Sequence, residues 1–213
     1  IHEGHYNLTG LSRINILLGK NGCGKSSLLK QVEQQLTAAK VGEINYVTPE
    51  RGGFLKYDSG VEQNSANNAD WANNAKRKNQ WGNFKEYSIS QYRKLEMLAL
   101  REIESNHALR QDLTYNFDSV IAKINSLLTN IKIARTAKGD FEIFTKDTDT
   151  KLQPEQISSE ESELISLAVE CLTFEKTCDP ANQNILLLDE PDVHLHPDLQ
   201  AQLMTFLIEL VNS

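Results

Sequence analysis

An α/β fold, with a mixed sheet, flanking helices and a helical insertion, is predicted by three observations. An apolar run, Ile14-Asn15-Ile16-Leu17-Leu18, leads into the glycine-rich stretch Gly19-Lys20-Asn21-Gly22-Cys23-Gly24-Lys25-Ser26, and a helical pattern follows at once. A second apolar run, Leu186-Leu187-Leu188, ends on the acidic pair Asp189-Glu190 far down the chain. Between them lies a long stretch of helical spacing interrupted by a hairpin signal.

The elements can be justified in order. Residues 1–18 read as a short strand or hairpin, with Ile14–Leu18 a buried strand feeding the glycine-rich loop. Ser27-Leu28-Leu29-Lys30-Gln31-Val32 opens a helix that continues to Ala39. Ile44–Val47 is the next strand, stopped by Thr48-Pro49-Glu50-Arg51-Gly52-Gly53. From Lys56 to Asn83 the chain turns rich in Asn, Ala and Ser and reads as an insertion, part loop and part weak helix. Phe84 to Gln111 then has helical spacing, with Tyr92, Leu95, Leu98 and Ala99 on one face. A second helix covers Asp118 to Leu128. Alternating runs at 130–135 and 141–144 flank Lys138-Gly139-Asp140, a hairpin signal. A helix from Ser159 to Phe174 places Leu164, Leu167, Ala168, Cys171 and Leu172 on one stripe, behind Ser158 as a capping residue. Asn184–Leu188 is a buried strand, and Pro197 opens a last helix with Leu199, Leu203, Phe206, Leu207 and Leu210 on one side. Three stretches follow: 1–55 as the first part of the core, 56–130 as insertion and helical subdomain, and 131–213 as the rest of the core.

The glycine-rich stretch fits the phosphate-binding pattern G-x-x-x-x-G-K-[ST]. Its glycines let the backbone curl so that N–H groups of Asn21, Gly22, Cys23, Gly24, Lys25, Ser26 and Ser27 face phosphates, and the helix N-terminus adds a dipole that favours anions. Lys25 is placed to reach the β- and γ-phosphates of ATP, and the Ser26 hydroxyl to hold Mg²⁺. Carboxylates at the end of a buried strand complete the set. Asp189 would hold Mg²⁺ directly or through water, and Glu190 would act as general base on the attacking water. The second acid is not needed to bind metal, so the pair points to ATP hydrolysis rather than storage.

Bulk properties narrow the setting. A chain of 213 residues with 39% apolar content suffices for one α/β domain with an insertion. A net charge of −7 does not attract nucleic acid to the surface as a whole, so any such contact needs a local basic patch. Lys76-Arg77-Lys78 between Trp71 and Trp81 is one: it could grip nucleic acid by charge and stacking, or belong to a solvated insertion that docks on a protein partner, the reading we favour. Cys23, Cys171 and Cys178 have no zinc-ligand spacing, and a thiol within the phosphate loop suits the reducing cytoplasm. No run reaches membrane-spanning length and no secretory signal is visible. The chain starts at Ile1 without Met and is expected to be a piece of a longer protein.

Asn15-x-Leu17-x-Gly19-x-Asn21-Gly22-x-Gly24-Lys25-Ser26-x-Leu28 resembles the nucleotide-binding head of ABC-type ATPases, in the branch that holds the RecF and SMC heads and the OLD-family proteins. The segment Leu188-Asp189-Glu190-Pro191-Asp192-Val193-His194-Leu195-His196-Pro197 is similar to the OLD-like Walker B and D-loop. Gln156 to Glu163 sits where that family carries its signature loop. With Tyr46-Val47-Thr48-Pro49-Glu50-Arg51-Gly52, the whole looks closest to the Septu-type and retron-associated ATPases of bacterial antiphage defence.

The resemblance implies a homodimer, or a higher oligomer, whose heads close face to face. Each ATP is held by the P-loop of one head and by Ser158 of the other. An effector such as a nuclease would be controlled by closure. Asp192, His194 and His196 are read as D-loop residues rather than a metal site. The chain departs from the family pattern at Glu160, where glycine is usual, and no Q-loop glutamine follows the Tyr46 strand, Glu50 standing nearest. The switch histidine would lie beyond Ser213. Glu190 favours an ATPase; Glu160 favours the alternative, an ATP-sensing scaffold with little hydrolysis. A RecF- or SMC-like DNA repair ATPase is a further alternative, and a transporter's nucleotide-binding domain is weakened by the atypical signature.

Overall fold

A computed structural model of the chain describes residues 8–48, 81–153, 156–193 and 195–212. Its elements are α1 (Lys25–Ala39), β1 (Ile44–Val47), α2 (Trp81–Ser105), α3 (His107–Gln111), α4 (Phe117–Leu127), β2 (Ile131–Arg135), β3 (Phe141–Thr145), β4 (Lys151–Leu152), α5 (Ser159–Thr177), β5 (Ile185–Leu188) and α6 (Pro197–Asn212). Of the insertion expected over Lys56 to Asn83, residues 56–80, with Trp71 and Lys76-Arg77-Lys78, lie outside the described residues, as do Glu50 and His194, while its last residues, Trp81 to Asn83, open α2.

The fold is α/β, and among the described residues parallel and antiparallel pairing occur in two separate sheets. β1 and β5 pair in parallel, Ile44 opposite Ile185 through Val47 opposite Leu188, although 141 positions separate the partners. Their ladder is extended by Ile185 N–H to the Glu43 carbonyl at 2.9 Å and by Asp189 N–H to the Val47 carbonyl at 3.0 Å. The predicted hairpin is present as β2 and β3, Ile133 opposite Ile143. β4, only two residues long, adds a third antiparallel strand that periodicity could not reveal.

The helix expected over 84–111 is two helices. Asn106 breaks it, its side-chain oxygen accepting from Ala108 N–H at 3.0 Å and Leu109 N–H at 3.4 Å, which caps α3 and offers the backbone an alternative to continuing α2. α4 begins with a capping box between Asn116 and Ser119.

The core forms where α2, α4 and α5 meet and extends to β2, β3 and α6, through Tyr92, Leu95, Phe117, Ile124, Ile133, Leu164, Leu172, Leu203 and Phe206. α5 departs from its sequence reading. Its apolar stripe is buried as expected, but Glu161, Ser162, Ser166, Glu170 and Thr173 on its other faces are buried too. The helix is therefore a central element packed against α2, α4 and α6, not a surface helix. Thr173 shows how polar groups survive there: its hydroxyl donates to the Val169 carbonyl at 2.7 Å.

The first expected strand is corrected. Residues 14–18 form no strand and are exposed, Leu18 at 91%. Among the described residues no backbone lies alongside them in a ladder, and an apolar run becomes a strand only where a neighbour takes its N–H and C=O groups. β5, expected to be buried, is half-buried along its whole length.

Candidate functional site

The glycine-rich loop is built by two left-handed residues. Gly22 has φ 78° and Gly24 φ 98°, values that side-chain-bearing residues rarely adopt. Cys23 N–H donates to the Lys20 carbonyl at 3.2 Å, closing the turn, and Leu28 N–H to the Gly24 carbonyl at 2.9 Å starts α1. Gly19 matters for a different reason: a Cβ there would stand 2.7 Å from Cys23 Sγ. The loop thus delivers Lys25 and Ser26 as the first two residues of α1, with Gly24 as its N-cap.

Lys25 folds back over the loop. Its Nζ donates to the Gly19 carbonyl at 3.1 Å and the Lys20 carbonyl at 3.4 Å, and lies 3.9 Å from Glu190 Oε1. This contact joins the two sequence motifs in space across the middle of the chain. It sets the phosphate-binding loop against the end of β5, with Ser26 following Lys25 on one side and Asp189 preceding Glu190 on the other.

Asp189 is 2% exposed and Glu190 is half-buried. Tyr46, on β1, donates its hydroxyl to Asp189 Oδ2 at 2.6 Å. Nothing in the sequence pattern marked Tyr46 for this contact, which depends on the parallel register of two distant strands. Glu190 takes a left-handed conformation, φ 46°, and its carbonyl accepts from Val193 N–H at 3.3 Å. A non-glycine residue held at positive φ beside a buried carboxylate is the kind of local strain that collects at functional sites.

Ser158 is the N-cap of α5. Its hydroxyl accepts from Glu161 N–H at 3.1 Å and donates to Glu161 Oε2 at 3.0 Å, while Glu161 Oε1 takes Asn130 N–H at 3.4 Å. Both of these hydroxyl contacts are to Glu161 in its own cap, not to the P-loop. Glu160 follows in the first turn, half-buried. His196 Nδ1 lies 3.6 Å from Asp198 Oδ2 on the exposed start of α6, and no group of three metal-ligating acids, histidines or cysteines occurs among the described residues. Cys23 is exposed and Cys171 buried. Burial first, then the charges of Glu43 and Glu175, push the Cys178 thiol up to about 11, leaving it protonated at neutral pH.

Oxygen donors of the right kind for Mg²⁺ flank the Lys25–Glu190 contact in sequence: the Ser26 hydroxyl next to Lys25 and the buried Asp189 carboxylate next to Glu190. Mg²⁺ commonly takes one or two protein oxygens and fills its other positions with phosphate oxygens and water, so this donor set fits. No helix among the described residues is long and apolar enough to cross a membrane.

Comparison with known families matches residues 44–213 to the AAA ATPase domain, a P-loop ATPase family. The matched span holds β1, α5 and the Asp189-Glu190 strand end, and begins after the phosphate-binding loop. No curated protein matches the chain.

Proposed function

The chain belongs to the AAA ATPase domain family, and from that premise we propose that it is an ATP-binding and ATP-hydrolysing head of ABC type that closes as a dimer around nucleotide. In this reading closure controls an effector, a nuclease or toxin subunit, in cytoplasmic antiphage defence. The observation that carries the proposal is the 3.9 Å approach of Lys25 Nζ to Glu190 Oε1. It sets the cation meant for the γ-phosphate beside the carboxylate meant for the attacking water.

In this reading the roles divide among the loop, the end of β5 and the start of α5. N–H groups of residues 21–27 take the phosphates, and the ammonium of Lys25 exchanges its carbonyl partners for β- and γ-phosphate oxygens. Ser26 and Asp189 hold Mg²⁺, which when bound neutralises phosphate charge. Glu190 would orient a water and accept its proton as the oxygen attacks the γ-phosphorus, while the bond to the β,γ-bridging oxygen breaks and ADP leaves. Ser158 and the α5 N-terminus face the nucleotide of the other head. Residues 1–55 and 131–213 form the ATPase core, and 56–130 the insertion and helical subdomain that meets the effector or, through Lys76, Arg77 and Lys78, nucleic acid.

One observation favours the second reading, an ATP-sensing scaffold with little hydrolysis: a carboxylate, Glu160, stands in the first turn of α5 where a γ-phosphate would approach. The two readings separate on turnover. Lys25→Ala should abolish nucleotide binding, while Glu190→Gln should keep binding and lose hydrolysis by a factor of about 10² or more. Wild-type turnover in Glu190→Gln removes Glu190 as the base. Normal ATP affinity in Lys25→Ala removes the nucleotide site itself.

A further inference from the structure

The bond between Tyr46 and Asp189 is built into the sheet. Parallel pairing sets Tyr46 opposite Leu187. Side chains alternate along a strand, so Asp189, two residues beyond Leu187, turns to the same face as Leu187 and Tyr46. The main chain reinforces the placement, because Asp189 N–H bonds the carbonyl of Val47, the neighbour of Tyr46. β1 therefore grips Asp189 twice, once by backbone and once by side chain.

Both groups are removed from water, Tyr46 at 3% exposure and Asp189 at 2%. A carboxylate so deeply placed needs donors, and a phenol–carboxylate bond of 2.6 Å falls in the short, charge-assisted range. Tyrosine suits the position because its ring packs in the interior while its hydroxyl reaches the end of the neighbouring strand. A hydrogen bond held on Oδ2 restrains rotation of the carboxylate about its Cβ–Cγ bond.

We infer that Tyr46 is a positioning residue for metal binding: its phenol holds Asp189 in the one orientation that presents the carboxylate to a divalent cation. This rests on the proposed role of Asp189 as a Mg²⁺ residue. Outer partners of this kind typically change metal affinity 10- to 100-fold when removed.

The test uses the full chain saturated with ADP, with Mn²⁺ binding followed by electron paramagnetic resonance, so that no turnover is needed. Tyr46→Phe keeps the buried ring and removes only the hydroxyl. It should weaken Mn²⁺ binding about tenfold and leave metal-free ADP affinity unchanged. Asp189→Asn should weaken Mn²⁺ binding further, and adding Tyr46→Phe to it should change nothing more, since Tyr46 acts through Asp189. Additive losses in the double variant would make Tyr46 a packing residue and overturn the inference. Unchanged Mn²⁺ binding in Tyr46→Phe, with weakened binding in Asp189→Asn, would overturn it while leaving Asp189 as the metal residue. Unchanged binding in both would overturn the metal role of Asp189 and the inference together.

Discussion

Asn125 holds Ile133 by both of its backbone groups: the side-chain amide donates to the Ile133 carbonyl at 3.0 Å and accepts from its N–H at 2.8 Å. Ile133 lies on β2, an edge of the three-stranded sheet, and its outward-facing groups would otherwise look for another strand. One amide on α4 closes that edge and docks the helix on the sheet. Asn125→Ala should destabilise the fold by about 2 kcal/mol, since two half-buried backbone groups lose their partner. Denaturant unfolding of the two forms measures it.

The loop glycines should differ in tolerance, against the order of their contacts. Gly19 has the tightest approach, but the atom met is the end of an exposed cysteine side chain, which can rotate away. Gly22 meets nothing within 4 Å, yet its φ of 78° penalises any side chain by about 1–2 kcal/mol. Gly22→Ala and Gly24→Ala should therefore weaken ATP binding more than Gly19→Ala. Titration of a fluorescent ATP analogue against the three variants gives the order.

A network at the end of α5 predicts the pH response of stability. Lys176 Nζ lies 2.8 Å from Tyr115 Oη and 3.0 Å from Glu102 Oε2, and Tyr115 donates to the same carboxylate at 2.8 Å. Burial alone would raise Glu102, but the hydrogen bonds from Lys176 and Tyr115 outweigh it and hold its carboxyl below the usual range. A depressed carboxyl stabilises the fold above its unfolded value and loses that contribution as pH falls through the folded one. For Lys176, burial would lower the ammonium, and the bonds to Tyr115 and Glu102 raise it above its ordinary value. That contribution is present below the unfolded value and lost as pH rises through the folded one. The network should stabilise from mildly acidic to mildly alkaline pH and fade at both extremes. Lys176→Met should flatten both limbs of a plot of melting temperature against pH.

Glu160→Gly should separate stability from assembly. At the first turn of α5 a carboxylate favours the helix dipole, and glycine is a poor helix former, so the variant should melt earlier. Removing a charge worth about 1 kcal/mol of repulsion toward a phosphate in a wet site should, at the same time, raise nucleotide-dependent dimer and ATP turnover. Light scattering and phosphate release decide it. A variant that is less stable and no more dimeric would show Glu160 turned away from the nucleotide.

What could be read in advance was local. The loop and α1, β1, the Gly139 hairpin and α6 follow from spacing and turn residues a few positions apart. What escaped depends on distant neighbours. Ile14–Leu18 has strand composition, but pairing is supplied by another segment, and none of the described ones takes that place. α5 has a one-sided apolar stripe, and its other faces are buried by α2, α4 and α6, which no period within α5 encodes. Tyr46 meets Asp189 across 143 positions through a strand register that the sequence does not state. Only the break at Asn106 was within local reach, since an asparagine before a helical turn is a capping signal.

The left-handed backbone at Glu190 sets thermal robustness against chemistry at a single position. Glycine adopts φ 46° without strain and asparagine nearly so, whereas a glutamate held there forgoes about 1 kcal/mol. A laboratory selection on melting temperature alone would enrich Glu190→Gly or Glu190→Asn and return hardier chains without the carboxylate that faces Lys25. Any thermostabilisation campaign on this scaffold should keep residue 190 fixed.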